Sequence, residues 1–134
     1  MHSYVLDVNI WISLFIKKEY SEKFVEWKVA TNNLIYCSDV MTNELWNVIN
    51  REHIAKLLKK TTSECYGIYN EITTLFNPIP IFTGCQDHKD NYLFDLAIQA
   101  QADFLVTGDK TVLTTKINPP PQIISFNEFR EMFL

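Results

Sequence analysis

At 134 residues the chain has room for one domain with a sizeable core and not for two. A composition of 47% hydrophobic and 21% charged residues, with three glycines, excludes a disordered or linker-rich chain. A net charge of −4 excludes a broad basic surface that grips nucleic acid by phosphate neutralisation alone, leaving only local lysine clusters at Lys17–Lys18 and between Arg51 and Lys60.

In chain order, the run "SYVLD" at residues 3–7 predicts the first strand, followed by helices over 9–18 and 21–31. "LIYCS" from Leu34 predicts the second strand. A helix is expected from Asp39 to about Lys60, capped by Ser38 or Asp39, and another from Thr61 to Phe76. "IPIF" from Ile79 predicts the third strand, residues 90–101 a helix, and "DFLVTG" from Asp103 the fourth strand. The stretch "NPPP" at 118–121 forbids helix and central strand, so it reads as an extended loop ahead of an edge strand, "QIISF" from Gln122. Ser125 with Glu128 three residues on forms a capping box for a closing helix. Short apolar runs alternating with helices long enough for right-handed crossovers specify a three-layer α/β/α sandwich around a central, mainly parallel five-stranded sheet.

Cys37, Cys65 and Cys85 are odd in number and lack close paired spacing, which predicts reduced, buried thiols in a cytoplasmic protein. Asp7 and Asn9 interrupt the N-terminal apolar run, and no basic residue precedes it, so a secretion leader is not expected. No apolar run reaches membrane-spanning length.

Four carboxylates stand out by position. In open parallel sheets the ligand site lies outside the carboxyl ends of the strands, where strand order reverses. Asp7 ends the first strand and Asp109 the fourth; if those strands are neighbours, both face one crevice. Asp90 opens the helix feeding the fourth strand, and Glu44 lies about a turn into the helix after the second. Four such groups on one rim repel one another unless a cation joins them. All-oxygen ligation favours Mg²⁺ or Mn²⁺, which activates water and neutralises a phosphate undergoing in-line displacement.

With "VLDVN", "TNELWNVINR", "DHKDNYLFDLAIQAQADFLVTGDKTVL" and "IISFNEF", the chain resembles PIN-domain proteins, and is similar to the bacterial and archaeal group known as toxin components of toxin–antitoxin systems. The resemblance implies a metal-dependent endoribonuclease with Asp7, Glu44, Asp90 and Asp109 as its acidic constellation, supported by Asn9 and Thr107. It departs from the family pattern at Val8, where threonine is usual, and in "DHKD", which keeps both aspartates and lacks the proline. Asp87 is a further candidate for support around the metal, and Lys89 and Lys110 for holding the RNA backbone. The expected partners are RNA, a cognate antitoxin that covers or distorts the cleft, and a second copy; no membrane is expected. Trp11, Trp27 and Trp46 recur at core-like helix positions and are expected to pack, not to stack on bases, with a dimer face as the alternative place for Trp11 or Trp46.

Each acid also has a structural reading: Asp7 and Asp90 as helix caps, Asp109 as a turn residue after Gly108, and Glu44 as a solvated helix side chain. Asp95 and Asp103 are expected to face solvent or cap an end, and His88 to sit on a loop surface. The rival functions are a catalytically silent scaffold of the same fold, a nuclease of RNA processing outside any toxin–antitoxin pair, and a phosphatase-like metal hydrolase.

Overall fold

The computed structural model describes all 134 residues. Apolar β-rich runs form the strands β1 (Ser3–Leu6), β2 (Leu34–Cys37), β3 (Thr74–Leu75), β4 (Phe104–Val106) and β5 (Gln122–Ile124). The helices are α1 (Val8–Ile16), α2 (Lys18–Thr31), α3 (Asp39–Ile49), α4 (Glu52–Ala55), α5 (Thr62–Ile72), α6 (Asn91–Gln99), α7 (Lys110–Leu113) and α8 (Phe126–Arg130). The strands pair in the order β3-β2-β1-β4-β5, every pair parallel, so β1 and β4 are central neighbours and β5 is an edge. Strand order reverses between β2–β1 and β4–β5, which fixes the crevice at the carboxyl ends of β1 and β4.

Both central strands are buried on both faces, Val5, Leu6, Leu105 and Val106 being fully covered, as a sheet flanked by helices requires. Tyr4 packs edge-on to Trp27 of α2 and against Phe129 of α8, while α6 lies along β1, β2 and β4. Trp11 is fully buried, stacked near Phe15 and edge-on to Phe24 and Tyr69. It belongs to the core, the packing role expected from its place on an apolar helix, and not to the dimer face considered beside it. Trp46 is partly exposed beside Tyr66. All three cysteines are free and buried, as expected.

Several boundaries differ from those expected. The third strand is Thr74–Leu75, paired with Tyr36 and Cys37, and not the apolar run from Ile79. Pro78 and Pro80 have no N–H to give a ladder, and the donors beside them are taken by side chains. The Ile79 N–H donates to Gln99 Oε1 at 2.9 Å, and those of Ile81 and Phe82 to Asp95 Oδ1 at 3.2 and 2.8 Å. Asp95 is therefore buried beneath this loop and does not face solvent. The expected long helix from Asp39 breaks after Ile49: the Asn50 amide donates back to the Trp46 carbonyl and Arg51 turns extended at ψ 133°. Ser38 is its cap, accepting from the Met41 N–H, and the Ser125–Glu128 capping box is present. No helix is long and apolar enough to cross a membrane.

Candidate metal centre

The register of β1 against β4 builds the centre of the site. Leu6 pairs with Val106, so Asp7 and Thr107, one residue further on, emerge side by side from the sheet. Their backbones remain tied to it: the Asp7 N–H donates to the Val106 carbonyl at 2.9 Å and the Thr107 N–H to that of Ile124 at 3.1 Å. The Thr107 hydroxyl donates to Asp7 Oδ2 at 2.8 Å and accepts the Asp109 N–H at 3.0 Å. One buried threonine thus fixes the rotamer of the first acid and the backbone of the fourth.

Asp7 occupies the N-cap position of α1 yet makes no side-chain cap bond, and Asp90 does likewise at α6. The capping role therefore explains neither carboxylate. Both are buried, at 6% exposure each, and Asp90 Oδ2 has no hydrogen-bond partner. Burial, with the charges of Asp7, Asp87 and Asp109, raises the Asp90 carboxyl to a pKa of about 6. Asp7 is raised too, by burial foremost and by Glu44 and Asp109, against the opposing hydrogen bond from Thr107. Asp109 is lowered, because its Oδ1 accepts the Thr111 hydroxyl and N–H, both at 2.8 Å. Here the turn reading holds for one oxygen: Asp109 caps α7 through Oδ1.

Glu44 is half-buried and not a freely solvated helix residue. The Tyr92 hydroxyl, from the first turn of α6, donates to Glu44 Oε2, and the neighbouring carboxylates, with burial leading, push the Tyr92 phenol upward. Tyr92 and Thr111 were not foreseen. The signal for Thr111 was present in "DKT", an Asp followed two residues on by Thr, the spacing of a side-chain cap; nothing local marks Tyr92, whose partner is 48 residues away.

The remaining residues lie at the margin. Asp87 caps the short 3-10 turn His88–Asp90 and pairs with Lys89 Nζ at 3.7 Å. Lys89 and Lys110 are exposed next to Asp90 and Asp109, as is Asn9 in the first turn of α1, and His88 is exposed. Asp103, at the opposite end of β4, accepts the Ser3 N–H.

The fit of this set to a cation has two sides. Hard oxygen donors, raised pKa values at Asp7 and Asp90 and an orphaned buried carboxylate oxygen on Asp90 suit Mg²⁺ or Mn²⁺. As the side chains stand, however, no three His, Cys, Asp or Glu are positioned to hold one ion. Oxygens of Asp109 and Glu44 are turned to Thr111 and Tyr92, a separation that like charges favour.

A profile of the PIN domain matches residues 3–111, a span that contains all four acids. Among solved structures the chain is similar to one in the crystal structure of VapBC2 from Rickettsia felis bound to a DNA fragment from their promoter. The TM-score is 0.61 at 16% identity, covering 92% of this chain and 98% of the other, a likeness of fold. No curated protein matches the chain in sequence.

Proposed function

The chain belongs to the PIN-domain family, and from that premise we propose that it is a metal-dependent endoribonuclease acting as the toxin of a toxin–antitoxin pair. The observation that carries the catalytic reading is Asp90: a nearly covered carboxylate with an unpartnered oxygen, in the field of Asp7, Asp87 and Asp109 at the strand-order reversal. A folded chain keeps such an arrangement at a cost in stability, which function explains better than packing. Asp7, Glu44, Asp90 and Asp109 would hold the cation. When bound, Mg²⁺ or Mn²⁺ supplies charge neutralisation at the phosphate and a water acidic enough to attack it, leaving a 5′-phosphate.

The chain's own groups prepare that chemistry. Thr107 locks Asp7, Thr111 fixes one oxygen of Asp109, and Tyr92 fixes one oxygen of Glu44, so three of the four acids are held by neutral donors and each keeps a second oxygen for a cation. Lys89 and Lys110 stand exposed beside the acids, where they can meet flanking phosphates. The antitoxin partner is supported by the likeness in fold to a VapBC2 structure.

The lack of three carboxylates positioned to hold an ion favours a second reading, a catalytically silent scaffold. Incubating the protein with a fluorescent single-stranded RNA separates the two. Cleavage with Mn²⁺ that stops in chelator supports the nuclease. Intact RNA supports the scaffold, and turnover of small phosphoesters alone indicates a phosphatase.

A further inference from the structure

A cavity of about 330 Å³ lies on the same carboxyl-end rim of the sheet as the acids, with Asp39, Asn77, Pro78, Pro80, Tyr92 and Asp95 in its lining. Three elements enclose it: the start of α3, the loop after β3 and the first turns of α6. Val5 pairs with Tyr36, and the same register two residues on sets Ser38, at the pocket, opposite Asp7. Neighbouring strands stand about 5 Å apart, so the pocket begins one strand spacing from the first acid. Tyr92 joins the two places: it lines the pocket while its hydroxyl donates to Glu44 Oε2.

The polar lining is dominated by acceptors. Asp39 is held by a reciprocal pair with Asn77: its N–H donates to Asn77 Oδ1 and its Oδ2 accepts the Asn77 amide, both at 2.8 Å. Its Oδ1 receives no bond from the chain. Asp95 is 4% exposed, and the Ile81 and Phe82 N–H groups and the Gln99 amide all converge on its Oδ1, with none on its Oδ2. No lysine or arginine lines the pocket, and neither carboxylate takes part in an ion pair. Pro78, Pro80 and Tyr92 add flat rings to this lining.

We propose that this pocket takes the base next to the scissile phosphate and selects guanine, an inference that rests on the nuclease reading above. Single-stranded RNA is read by stacking its unpaired bases on flat side chains and bonding their Watson–Crick edges. A carboxylate only accepts, so it selects the edge richest in donors. Guanine presents N1–H and its N2 amino group side by side, and one carboxylate receives both. Adenine and cytosine set a single amino group beside a ring-nitrogen lone pair that a carboxylate repels, and uracil flanks its one N–H with two carbonyls. A base edge carries no net charge, so it meets Asp39 and Asp95 without the repulsion that a phosphate suffers there, and the phosphate is left to the crevice. The volume falls within the roughly 300–1,000 Å³ of small-ligand sites and accommodates a bicyclic ring. A guanidinium offers similar donors, and the test below tells the two apart.

Asp39 is exposed, so Asp39→Asn, which turns an acceptor oxygen into a donor amide, leaves the core intact. Asp39→Glu keeps the charge and displaces it by one methylene, and Glu71→Gln, exposed on α5, is the control. In the first readout, RNA of randomised sequence is cut in Mn²⁺ and the new 5′ ends are sequenced. Wild type and control should show guanine favoured about tenfold at one position beside the cut, the discrimination of one good edge contact, and inosine there, which lacks the N2 amino group, should be cut more slowly. Both Asp39 variants should cut without the preference, at the rate wild type shows on sites lacking guanine. In the second readout, uncharged nucleosides are added in chelator: guanosine should raise the melting temperature of wild type and control, adenosine, cytidine and uridine should not, and neither Asp39 variant should respond. A guanine preference that both Asp39 variants keep overturns the proposal. So does cleavage with no base preference and no response to guanosine, which leaves the nuclease reading standing. An Asp39-dependent guanosine response in a protein that never cleaves RNA supports the guanine pocket and refutes the nuclease reading alone. If methylguanidinium, and not guanosine, stabilises the protein through Asp39, the pocket takes a cationic side chain of a partner and its role on RNA is overturned.

Discussion

Asp90→Asn is expected to make the metal-free protein more stable while removing its cleavage activity. Burial and the charges of Asp7, Asp87 and Asp109 lift the Asp90 pKa from 3.8 to about 6. Roughly two units amount to about 3 kcal/mol at ~1.36 kcal/mol per unit. Water at the crevice screens part of this, leaving about 1–2 kcal/mol. Because the folded-state value lies above the unfolded one, the penalty is absent below pH 3.8, grows as pH rises, and is complete above about pH 6. The asparagine keeps the helix start, since Asp90 makes no side-chain cap bond there. In a chain of this size the gain corresponds to a melting temperature higher by about 3–8 °C at about pH 7.5, vanishing near about pH 4. Scanning calorimetry in chelator at both pH values reads it. A melting temperature equal to or below wild type at the higher pH, or a gain that does not depend on pH, refutes the clustering of charge on which the site is argued.

Three further outcomes follow from the same geometry. Mn²⁺ should raise the wild-type melting temperature by mass action and raise that of Asp7→Asn less; identical metal responses in a thermal titration show that Asp7 is no ligand. Thr107→Val removes the donor to Asp7 and the acceptor for the Asp109 N–H together, and should cost about 1–3 kcal/mol in a urea melt, with Thr107→Ser restoring most of it. If valine is neutral, the threonine does not organise the site. Tyr92→Phe frees Glu44 and should cut RNA cleavage about tenfold, a barrier change of ~1.4 kcal/mol, with the fold kept; an unchanged rate means that Glu44 is oriented by something other than Tyr92.

The sheet was legible wherever a strand is a continuous apolar run between breakers, as at Ser3–Leu6, Leu34–Cys37, Phe104–Val106 and Gln122–Ile124. It was illegible at Thr74–Leu75, because two residues at an edge carry almost no pattern, and the neighbouring apolar run from Ile79 resembles a strand while its prolines and its ties to Asp95 and Gln99 prevent pairing. Asp95 was misread for a related reason. A carboxylate in the helix looks solvated until the loop that it anchors, 13 residues away in sequence, is in place. For the site, strand ends and strand order brought Asp7 and Asp109 together, since a parallel doubly wound sheet leaves their residues few other places to go. What could not be read was the side-chain hardware around them: the partnership of Tyr92 with Glu44 is a product of how α3 and α6 pack, and the Asp7–Thr107 bond of strand register.

The central claim is that the acidic crevice cleaves RNA with a divalent cation, and Glu44 tests it most directly because its placement depends wholly on the fold. Glu44→Gln keeps size and helix propensity while removing one charge from the rim. Glu52→Gln is the control, an exposed helix glutamate paired only with Lys56 at 3.4 Å. Single-turnover cleavage of a labelled RNA under saturating Mn²⁺ should fall by about two orders of magnitude or more in Glu44→Gln, a loss of at least ~2.7 kcal/mol of transition-state stabilisation, and stay at the wild-type rate in Glu52→Gln. Equal rates in all three proteins, or cleavage by wild type that persists in chelator, would contradict the account.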